Sequence, residues 1–303
     1  MRSIPVAEPN LSGKESHYAA EAVISGWVSG GGKYVDRFEE MVAEATGARW
    51  AVAVLTGSLA LEIALVACRE GWPRIPMPSL LFVAAANAAI RARCQPLFVD
   101  IDDGWGPDIS AVGPIFDAAP AIGSVCPGVV CFSFNGNKTI TTGQGGAVVG
   151  NDPDVERTVR HLCEVAKVKD YVVDGVGYNA RMSNVAAAIG CAQMERLPEF
   201  LERKVTIMRR YRDAGLKVGR SVWMALLETE SPRDHVIQAL AARGIEARKF
   251  WMPLHLQGPY KDCPRDPLPN TEALWQKLVC LPCSTGLTDE DQDKVIDACL
   301  SIS

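Results

Sequence analysis

Three features that the sequence lacks narrow the classes of protein it could encode. No apolar run is long enough to span a bilayer, because the most hydrophobic stretches, 51–68 and 76–90, are short or interrupted by polar residues. The N-terminus has no apolar segment behind its charge, so we expect a cytosolic protein without a secretory signal. Basic residues are not in excess, since 31 Lys and Arg stand against 36 Asp and Glu. Nucleic-acid binding is therefore disfavoured.

Metal-binding patterns are also scarce. The ten cysteines include one CxxC pair, Cys280 and Cys283, which could be redox-active or half of a zinc site. No second CxxC and no close pair of histidines completes four ligands. The spacing therefore favours a structural turn. We predict no metal site and expect reduced thiols.

The sequence is rich in core-forming residues, 48% of its 303 positions being hydrophobic. That length suits about two domains, or one large α/β domain with a smaller appendage. Alternating apolar runs and helical periodicity predict a mainly parallel sheet flanked by helices, with ligands at the carboxyl ends of the strands. The predicted helices are 36–46, 59–69 and 82–92, and the predicted strands are 50–55, 75–78, 96–100, 114–117, 129–132 and 146–149.

The second half of the chain begins with a long helical region. Ser183 is suited to cap the first of two helices that extend to Gly215. Beyond them the pattern predicts one strand and two helices, over 222–227, 232–243 and 288–301. We therefore predict a large domain over 1–200 and a small C-terminal α+β domain over 201–303.

A loop at a strand end carries the first residue of chemical interest. Residues 131–146 hold a single lysine, Lys138, among small and hydroxyl residues. A lysine amine is nucleophilic only when it is neutral, and an enclosed site would favour that form and Schiff-base chemistry. An exposed surface lysine is the alternative, and the loop alone does not decide between the two.

Three other strand ends carry groups that would complement such a lysine. Thr56, Gly57 and Ser58 stand where a helix begins, so backbone N–H groups and two hydroxyls could hold a phosphate, with a plain helix cap as the alternative. Phe82 could stack on a flat cofactor or belong to the core. Asp117 ends an apolar strand, where burying a carboxylate is costly unless a partner such as a protonated ring nitrogen is present.

Together these groups match what pyridoxal 5′-phosphate (PLP) requires. Its aldehyde condenses with a lysine, and its phosphate suits a helix N-terminus. Its ring suits an aromatic neighbour, and its pyridinium nitrogen needs a carboxylate to stay protonated. The joint pattern, rather than the composition, predicts a PLP site.

Longer motifs in the same order resemble the DegT/DnrJ/StrS-type nucleotide-sugar aminotransferases over nearly the whole chain. They are Thr-Gly-Ser at 56–58, Pro-Ser-Leu-Leu-Phe-Val-Ala at 78–84, Phe-Val-Asp-Ile-Asp at 98–102, Asp-Ala-Ala at 117–119, Ser-Phe-Asn-Gly-Asn-Lys-Thr-Ile-Thr-Thr-Gly at 133–143 and Gly-Tyr-Asn-Ala-Arg-Met-Ser-Asn at 177–184. The opening Ile-Pro-Val-Ala-Glu-Pro and the late Lys-Phe-Trp-Met-Pro-Leu-His-Leu-Gln most resemble perosamine-synthase-like enzymes, which aminate a 4-keto-6-deoxy sugar.

The resemblance implies the aspartate-aminotransferase-like fold of PLP enzymes (fold type I). It also implies a ping-pong transfer of an amino group from glutamate to a nucleotide-linked 4-keto-6-deoxy sugar. Lys138 would be the Schiff-base lysine and proton carrier, Asp117 the partner of the pyridinium nitrogen, and Phe82 the stacking ring. The implied contacts at the phosphate end are Thr56, Gly57, Ser58 and Ser133.

Further implied contacts reach a partner subunit and the sugar. Asn179 of the Gly-Tyr-Asn motif would bind the phosphate in the neighbouring subunit, so that a homodimer shares its active sites. Trp27, Trp251 and His255 are candidate sugar contacts, with a core role as the alternative for each.

Two departures from the family pattern bear on function. Pro120 stands where the family has Gln or His, and proline can donate no hydrogen bond to the ring hydroxyl. Only 103–115 separates the Phe-Val-Asp-Ile-Asp and Asp-Ala-Ala motifs, where the family has a further strand and helix, so one strand-helix unit is missing. Because Lys138 and Asp117 persist, we predict a compact active enzyme.

Two other functions remain open for this fold. A catalytically silent homologue could bind PLP or a sugar nucleotide without turnover, and the missing unit is its main support. A sugar dehydratase of the same fold would carry histidine in place of Lys138, so that residue argues against it.

Overall fold

The computed structural model describes residues 3–102, 109–119, 121–123, 128–221 and 223–302. The helices are α1 (Glu15–Ile24), α2 (Lys33–Thr46), α3 (Gly57–Cys68), α4 (Ala84–Arg91), α5 (Pro153–Cys163), α6 (Asn184–Met194), α7 (Leu197–Asp213), α8 (Arg233–Ala241), α9 (Pro269–Leu274) and α10 (Asp289–Leu300). The strands are β1 (Trp50–Val54), β2 (Arg74–Pro78), β3 (Gln95–Val99), β4 (Ser110–Val112), β5 (Ile115–Asp117), β6 (Val129–Ser133), β7 (Gly146–Gly150), β8 (Lys167–Lys169), β9 (Val172–Val173), β10 (Ala225–Glu228), β11 (Arg248–Lys249) and β12 (Leu278–Leu281).

Five strands form the central sheet, in the order β1-β7-β6-β5-β4. The predicted α/β class is confirmed, but this sheet is mixed rather than mainly parallel. In the described chain β5 and β6 pair in parallel, whereas β7 is antiparallel to both β6 and β1, and β4 is antiparallel to β5. The connections β4–β5 and β6–β7 hold no crossover helix, and a parallel pair needs one or an equally long crossover.

Helices cover both faces of this sheet because side chains alternate along each strand. Val52 and Val54 of β1 pack in the core that contains α3 and α4. Ala51 and Ala53 point to the opposite face, where they pack with α2 and α6. On this second face β1 therefore contributes small side chains, whereas β6 contributes the larger Val130 and Phe132.

A short hairpin stands in the region where the resemblance predicts that a strand-helix unit is missing. β4 and β5 are joined by two residues, with Val112 directly opposite Ile115, and both of these side chains are fully buried. The Gly113 N–H donates a hydrogen bond to Pro76 O of β2 at 2.9 Å, so β4 lies between β5 and the parallel pair β2–β3. Pro120 and residues 103–108 lie outside the described residues.

The C-terminal region has its own antiparallel sheet, in the order β10-β12-β11, with α8 and α10 packed near it. The predicted strand over 222–227 begins later, at Ala225, because the Trp223 N–H donates a hydrogen bond to Ser221 Oγ in a turn. The N-terminus joins this region, since Ile4 forms a parallel bridge with Ile245. The domain boundary at residue 200 stays a prediction.

Several further features of the described residues bear on function. None of the helices found there is both long and apolar enough to cross a membrane. The described cysteines are free thiols, and burial raises the pKa of Cys280 to about 12. A thiol of that kind stays protonated and unreactive at neutral pH. Within the same part of the chain no cluster of three or more His, Cys, Asp or Glu could hold a metal ion.

Candidate active site

A cavity of about 330 Å³ lies where the start of α3, the loop 134–145 and the C-terminal sheet meet. We call the loop 134–145, which joins β6 to β7, the lysine loop. Residues from three separate parts of the sequence therefore face one space. The predicted site residues that line it are Thr56, Gly57, Ser58, Phe82, Asp117, Ser133, Lys138 and Trp251.

The N-terminus of α3 forms one end of the cavity. Thr56 caps the helix, because its hydroxyl accepts a hydrogen bond from the Leu59 N–H at 3.1 Å. The N–H groups of Gly57 and Ser58 have no partner within the helix, since the first turn lacks preceding carbonyls. Thr56 is therefore a helix cap, while the next two residues present donors suited to an anion, so their role at a phosphate stays a prediction.

Close backbone packing holds this end of the cavity together. A Cβ built on Gly57 would lie 2.6 Å from Ser133 Cβ at the end of β6. A Cβ on Gly146, where β7 begins, would lie 2.6 Å from the backbone nitrogen of Gly57. Only glycine fits at these two positions. The helix N-terminus and the hydroxyl-bearing end of β6 are therefore held side by side.

Asp117 is the buried acid of the site. It ends β5, and its Oδ1 accepts a hydrogen bond from the Ala119 N–H at 3.0 Å. Burial raises the pKa of this carboxyl above its usual value, while the Ala119 N–H and the charge of Lys138 oppose the rise. A buried carboxylate so placed is costly without a cation, and it would be stabilised by a protonated ring nitrogen.

Lys138 lies on a hydrogen-bonded turn of the lysine loop. Its N–H donates to Asn135 O at 3.0 Å, and the Phe134 N–H pairs with Gly145 O at 2.9 Å across the base of the loop. Burial lowers the pKa of the Lys138 amine to about 8, although the charge of Asp117 opposes this. About a tenth of the amine is then neutral at pH 7, far more than for an exposed lysine.

Comparison with known proteins identifies the arrangement. The model of the DegT/DnrJ/EryC1/StrS aminotransferase family matches residues 9–114 and 110–300. The chain belongs to this family. It is 31% identical to GDP-perosamine synthase of Caulobacter vibrioides, over 97% of both chains. It is also 31% identical to the GDP-perosamine synthase of Escherichia coli O157:H7, over 100% of this chain and 98% of that protein.

Solved structures agree with this assignment. A DegT DnrJ EryC1 StrS aminotransferase from Brucella abortus is 26% identical, with a TM-score of 0.86 over 95% of each chain. DesI, solved in the presence of its TDP-sugar product, is also 26% identical, with a TM-score of 0.85 over 100% of this chain and 93% of that one. The predicted family and fold are thus confirmed.

The same comparisons show that this chain is shorter than its relatives. The two segments matched by the family model meet at 110–114, just before Asp117. The alignment with the C. vibrioides protein runs over 359 positions, although this chain has only 303 residues. This member therefore lacks segments that its relatives carry.

An aromatic wall faces Lys138 and Asp117 across the cavity of this aminotransferase. The rings of Phe82 and Trp251 have centroids 5.3 Å apart, and Trp251 stacks on Phe250 at 4.6 Å. Trp223 adjoins Trp251 at 6.1 Å and lies over Lys138. Trp223 and Phe250 are not among the site residues predicted from the sequence. Phe250 lies within the late motif, but no local signal marks Trp223, which is distant in the sequence from Lys138 and Asp117.

Three predicted site residues do not line the cavity. Trp27 is 65% exposed, with its carbonyl accepting a hydrogen bond from Asn184 Nδ2 at 2.7 Å. Asn179 is exposed just beyond the hairpin β8–β9. His255 is buried with Nδ1 2.7 Å from Ser79 Oγ, and burial lowers its pKa. A buried, neutral histidine of this kind favours the core alternative for His255.

The residues present fit PLP. The groove between Gly57 and Ser133 admits no extra side-chain atom beside the free N–H groups of α3, as a phosphate-binding turn requires. A buried acid and an amine with a lowered pKa line the same cavity. These are the complements of a ring nitrogen and an aldehyde.

Proposed function

We propose that this protein is a PLP-dependent aminotransferase that moves an amino group from glutamate to the keto carbon of a nucleotide-linked 4-keto-6-deoxy sugar. The observation that carries the proposal is the placement of Lys138, Asp117 and the start of α3 around one cavity. Relatives named GDP-perosamine synthase support a sugar substrate, as does DesI with its TDP-sugar product.

Each residue has a distinct task in this proposal. When bound, PLP supplies an aldehyde that takes up the amino group and a ring that accepts electrons. The Gly57 and Ser58 N–H groups and the Ser133 hydroxyl bind the phosphate. Asp117 holds the proton on the ring nitrogen, because a buried carboxylate gains most from a cation beside it. Phe82 packs against the ring.

Lys138 acts as both nucleophile and proton carrier. Its lowered pKa leaves enough neutral amine near pH 7 to accept a proton from a carbon acid. The same amine, once protonated, returns the proton to the carbon that receives nitrogen. The apolar side chains of Leu61, Leu80 and Leu226 line the same cavity and limit the access of water.

The second half of each site comes from another subunit in this proposal. The hairpin β8–β9 and the chain after it expose large apolar side chains, with Tyr171 95% and Val176 94% exposed. Trp27 is a further exposed ring. Monomers rarely expose such apolar groups together, so a homodimer that covers them is favoured. Asn179 follows this hairpin and would reach the phosphate of the partner's cofactor.

The catalytically silent alternative is supported mainly by the missing strand-helix unit. In that region the β4–β5 hairpin places buried side chains in the sheet, which favours an active enzyme. Ser110 of β4 and Asp117 of β5 stand opposite each other, and both line the cavity.

The test combines chemical trapping with amino transfer. Purified protein is incubated with PLP and reduced with borohydride, which makes a lysine–aldehyde bond permanent, and its peptides are weighed by mass spectrometry. We expect the label on Lys138 and its loss in Lys138→Ala. A label elsewhere, or none, refutes the assignment.

Amino transfer is followed separately. Glutamate should convert the bound cofactor to its amine form, which is then offered GDP-linked and TDP-linked 4-keto-6-deoxy sugars with mass detection of an amino product. If Lys138 is labelled but no amino donor converts the cofactor, the protein is the silent homologue.

A further inference from the structure

An indole ring from the C-terminal region lies directly over Lys138. The Nζ atom of Lys138 is 3.7 Å from the centroid of the Trp223 ring, a short distance for an ammonium above an aromatic face. Trp223 is 5% exposed, so water does not compete strongly at this contact. Its Nε1–H donates to Asn137 O at 2.9 Å, which ties the ring to the residue before Lys138.

The backbone of Trp223 is held as firmly as its ring. Its N–H donates to Ser221 Oγ at 3.2 Å, and its carbonyl accepts from Lys204 Nζ at 2.8 Å and from Cys283 Sγ at 3.1 Å. Lys204 is only 4% exposed, and its ammonium also donates to Cys283 O at 2.7 Å. These contacts fix the plane of the indole relative to the lysine loop.

Among the residues that the structure describes, few other charges lie near Lys138. Asp117 on β5 acts on it from one side and favours its charged form. Lys204 of α7, Cys283 and Glu8 of the N-terminal segment line a small second cavity of about 20 Å³ that also contacts Lys138. Lys204 directs its ammonium at two carbonyls and so does not occupy the face of Trp223, whose ring centroid lies 3.7 Å from Lys138 Nζ.

We propose that Trp223 is a positioning residue that holds the Lys138 ammonium on its ring face whenever this amine is not bonded to another group. The contact attracts only the charged amine, because the negative face of the ring has nothing comparable to offer a neutral one. Loss of the proton therefore frees the amine to leave the ring and attack. The role of this contact in the reaction rests on the proposed function. The contact itself involves only residues of the protein and needs neither cofactor nor substrate.

The test measures the titration of Lys138 in the full chain freed of cofactor. Acetic anhydride acetylates neutral amines, so the extent of labelling between pH 6 and 10, relative to the exposed Lys261, gives the midpoint for Lys138 by peptide mass. Trp223→Leu should lower that midpoint by about 0.5 to 1.5 pH units, since it removes a cation–π contact but keeps an apolar cover. Trp223→Phe, which keeps a ring face, should restore most of the shift.

A matched control and a second probe keep the test decisive. Phe250→Leu removes another ring of the same cavity wall and should leave the Lys138 midpoint unchanged. Fluorinated tryptophan, incorporated biosynthetically, withdraws electrons from the ring face without changing its shape. Each added fluorine should lower the midpoint of Lys138 labelling further. This probe remains usable even if the Trp223→Leu variant does not fold.

Other outcomes overturn the proposal. An unchanged or raised midpoint in Trp223→Leu would mean that the indole acts only as a cover that excludes water. Insensitivity to fluorination would mean the same. Because the labelling uses neither cofactor nor substrate, its result is independent of whether the protein transfers amino groups.

Discussion

The side chain of Ser133 occupies the space that a Cβ on Gly57 would need, since the two Cβ atoms would be 2.6 Å apart. The first residue of α3 therefore lies against the last residue of β6. This contact places the free N–H groups of a helix beside a hydroxyl at the end of a central strand. The proposed phosphate site depends on it.

Gly57→Ala should damage that site without removing any polar group. The added methyl forces α3 and β6 apart, so we expect a loss of about 1 to 3 kcal/mol in the free energy of unfolding. PLP affinity should fall at least tenfold, as measured by equilibrium dialysis. Gly286→Ala, whose Cβ would meet nothing within 4 Å, is the matched control. Unaltered PLP affinity in Gly57→Ala would place the phosphate elsewhere.

Much of this end of the molecule could be predicted because its determinants are neighbours in the sequence. Gly47 ends α2 with a φ of 66°, and Ser183 caps α6 by accepting from the Ala186 N–H, both as local sequence rules indicate. Thr56 and Asp117 could be placed for the same reason, since each stands where a short apolar strand ends.

The strand directions and part of the candidate site could not be predicted, because they depend on contacts between residues that are distant in the sequence. The directions of β4 and β7 are set by connections whose path the periodicity does not reveal. Trp223 lies over Lys138 because Lys204, Ser221 and Cys283 hold its backbone there. No local sequence pattern predicts a contact between residues so far apart in the chain. His255 matches a family motif, yet it contacts Ser79 in the core.

The capture of PLP by Lys138 should depend on pH with a midpoint near 8. The pKa of this amine is lowered from 10.5 to about 8, so the neutral fraction grows about tenfold per pH unit below 8 and levels off above it. The rate of PLP rebinding to cofactor-free protein, followed by absorbance from pH 6.5 to 9.5, should show this profile. The rate at which Nα-acetyl-lysine in solution captures PLP should still be rising at pH 9.5. A protein profile that matches free lysine would contradict the burial of Lys138.

The same shift has a consequence for stability. The unfolded chain binds the Lys138 proton more tightly than the folded chain does, so burial of the ammonium destabilises the fold below pH 8. This penalty disappears as the pH rises from about 8 towards 10.5. Lys138→Met should therefore be more stable than the parent protein at pH 7, and the difference should shrink at pH 10 in urea unfolding.

Asp117→Asn should separate stability from catalysis. Burial raises the pKa of Asp117, so its ionised form is unfavourable in the cofactor-free protein, and the amide should raise the melting temperature at pH 7. Conversion of the bound cofactor by glutamate should slow by about a hundred- to a thousand-fold, because the ring nitrogen loses its counter-charge. Ser110→Ala, which alters the residue opposite Asp117 on β4, should cost far less. A normal rate in Asp117→Asn would remove this residue from the site.

Mixed dimers should show whether two subunits share each site. Lys138→Ala and Asn179→Ala are each expected to lose activity, but a dimer with one copy of each has one site with both native residues. Co-expression should therefore restore about a quarter of the parent activity. Lys138→Ala mixed with Asp117→Asn should restore none, because those two residues line the same cavity within one chain. If the first mixture is as inactive as the second, Asn179 does not act across a subunit boundary.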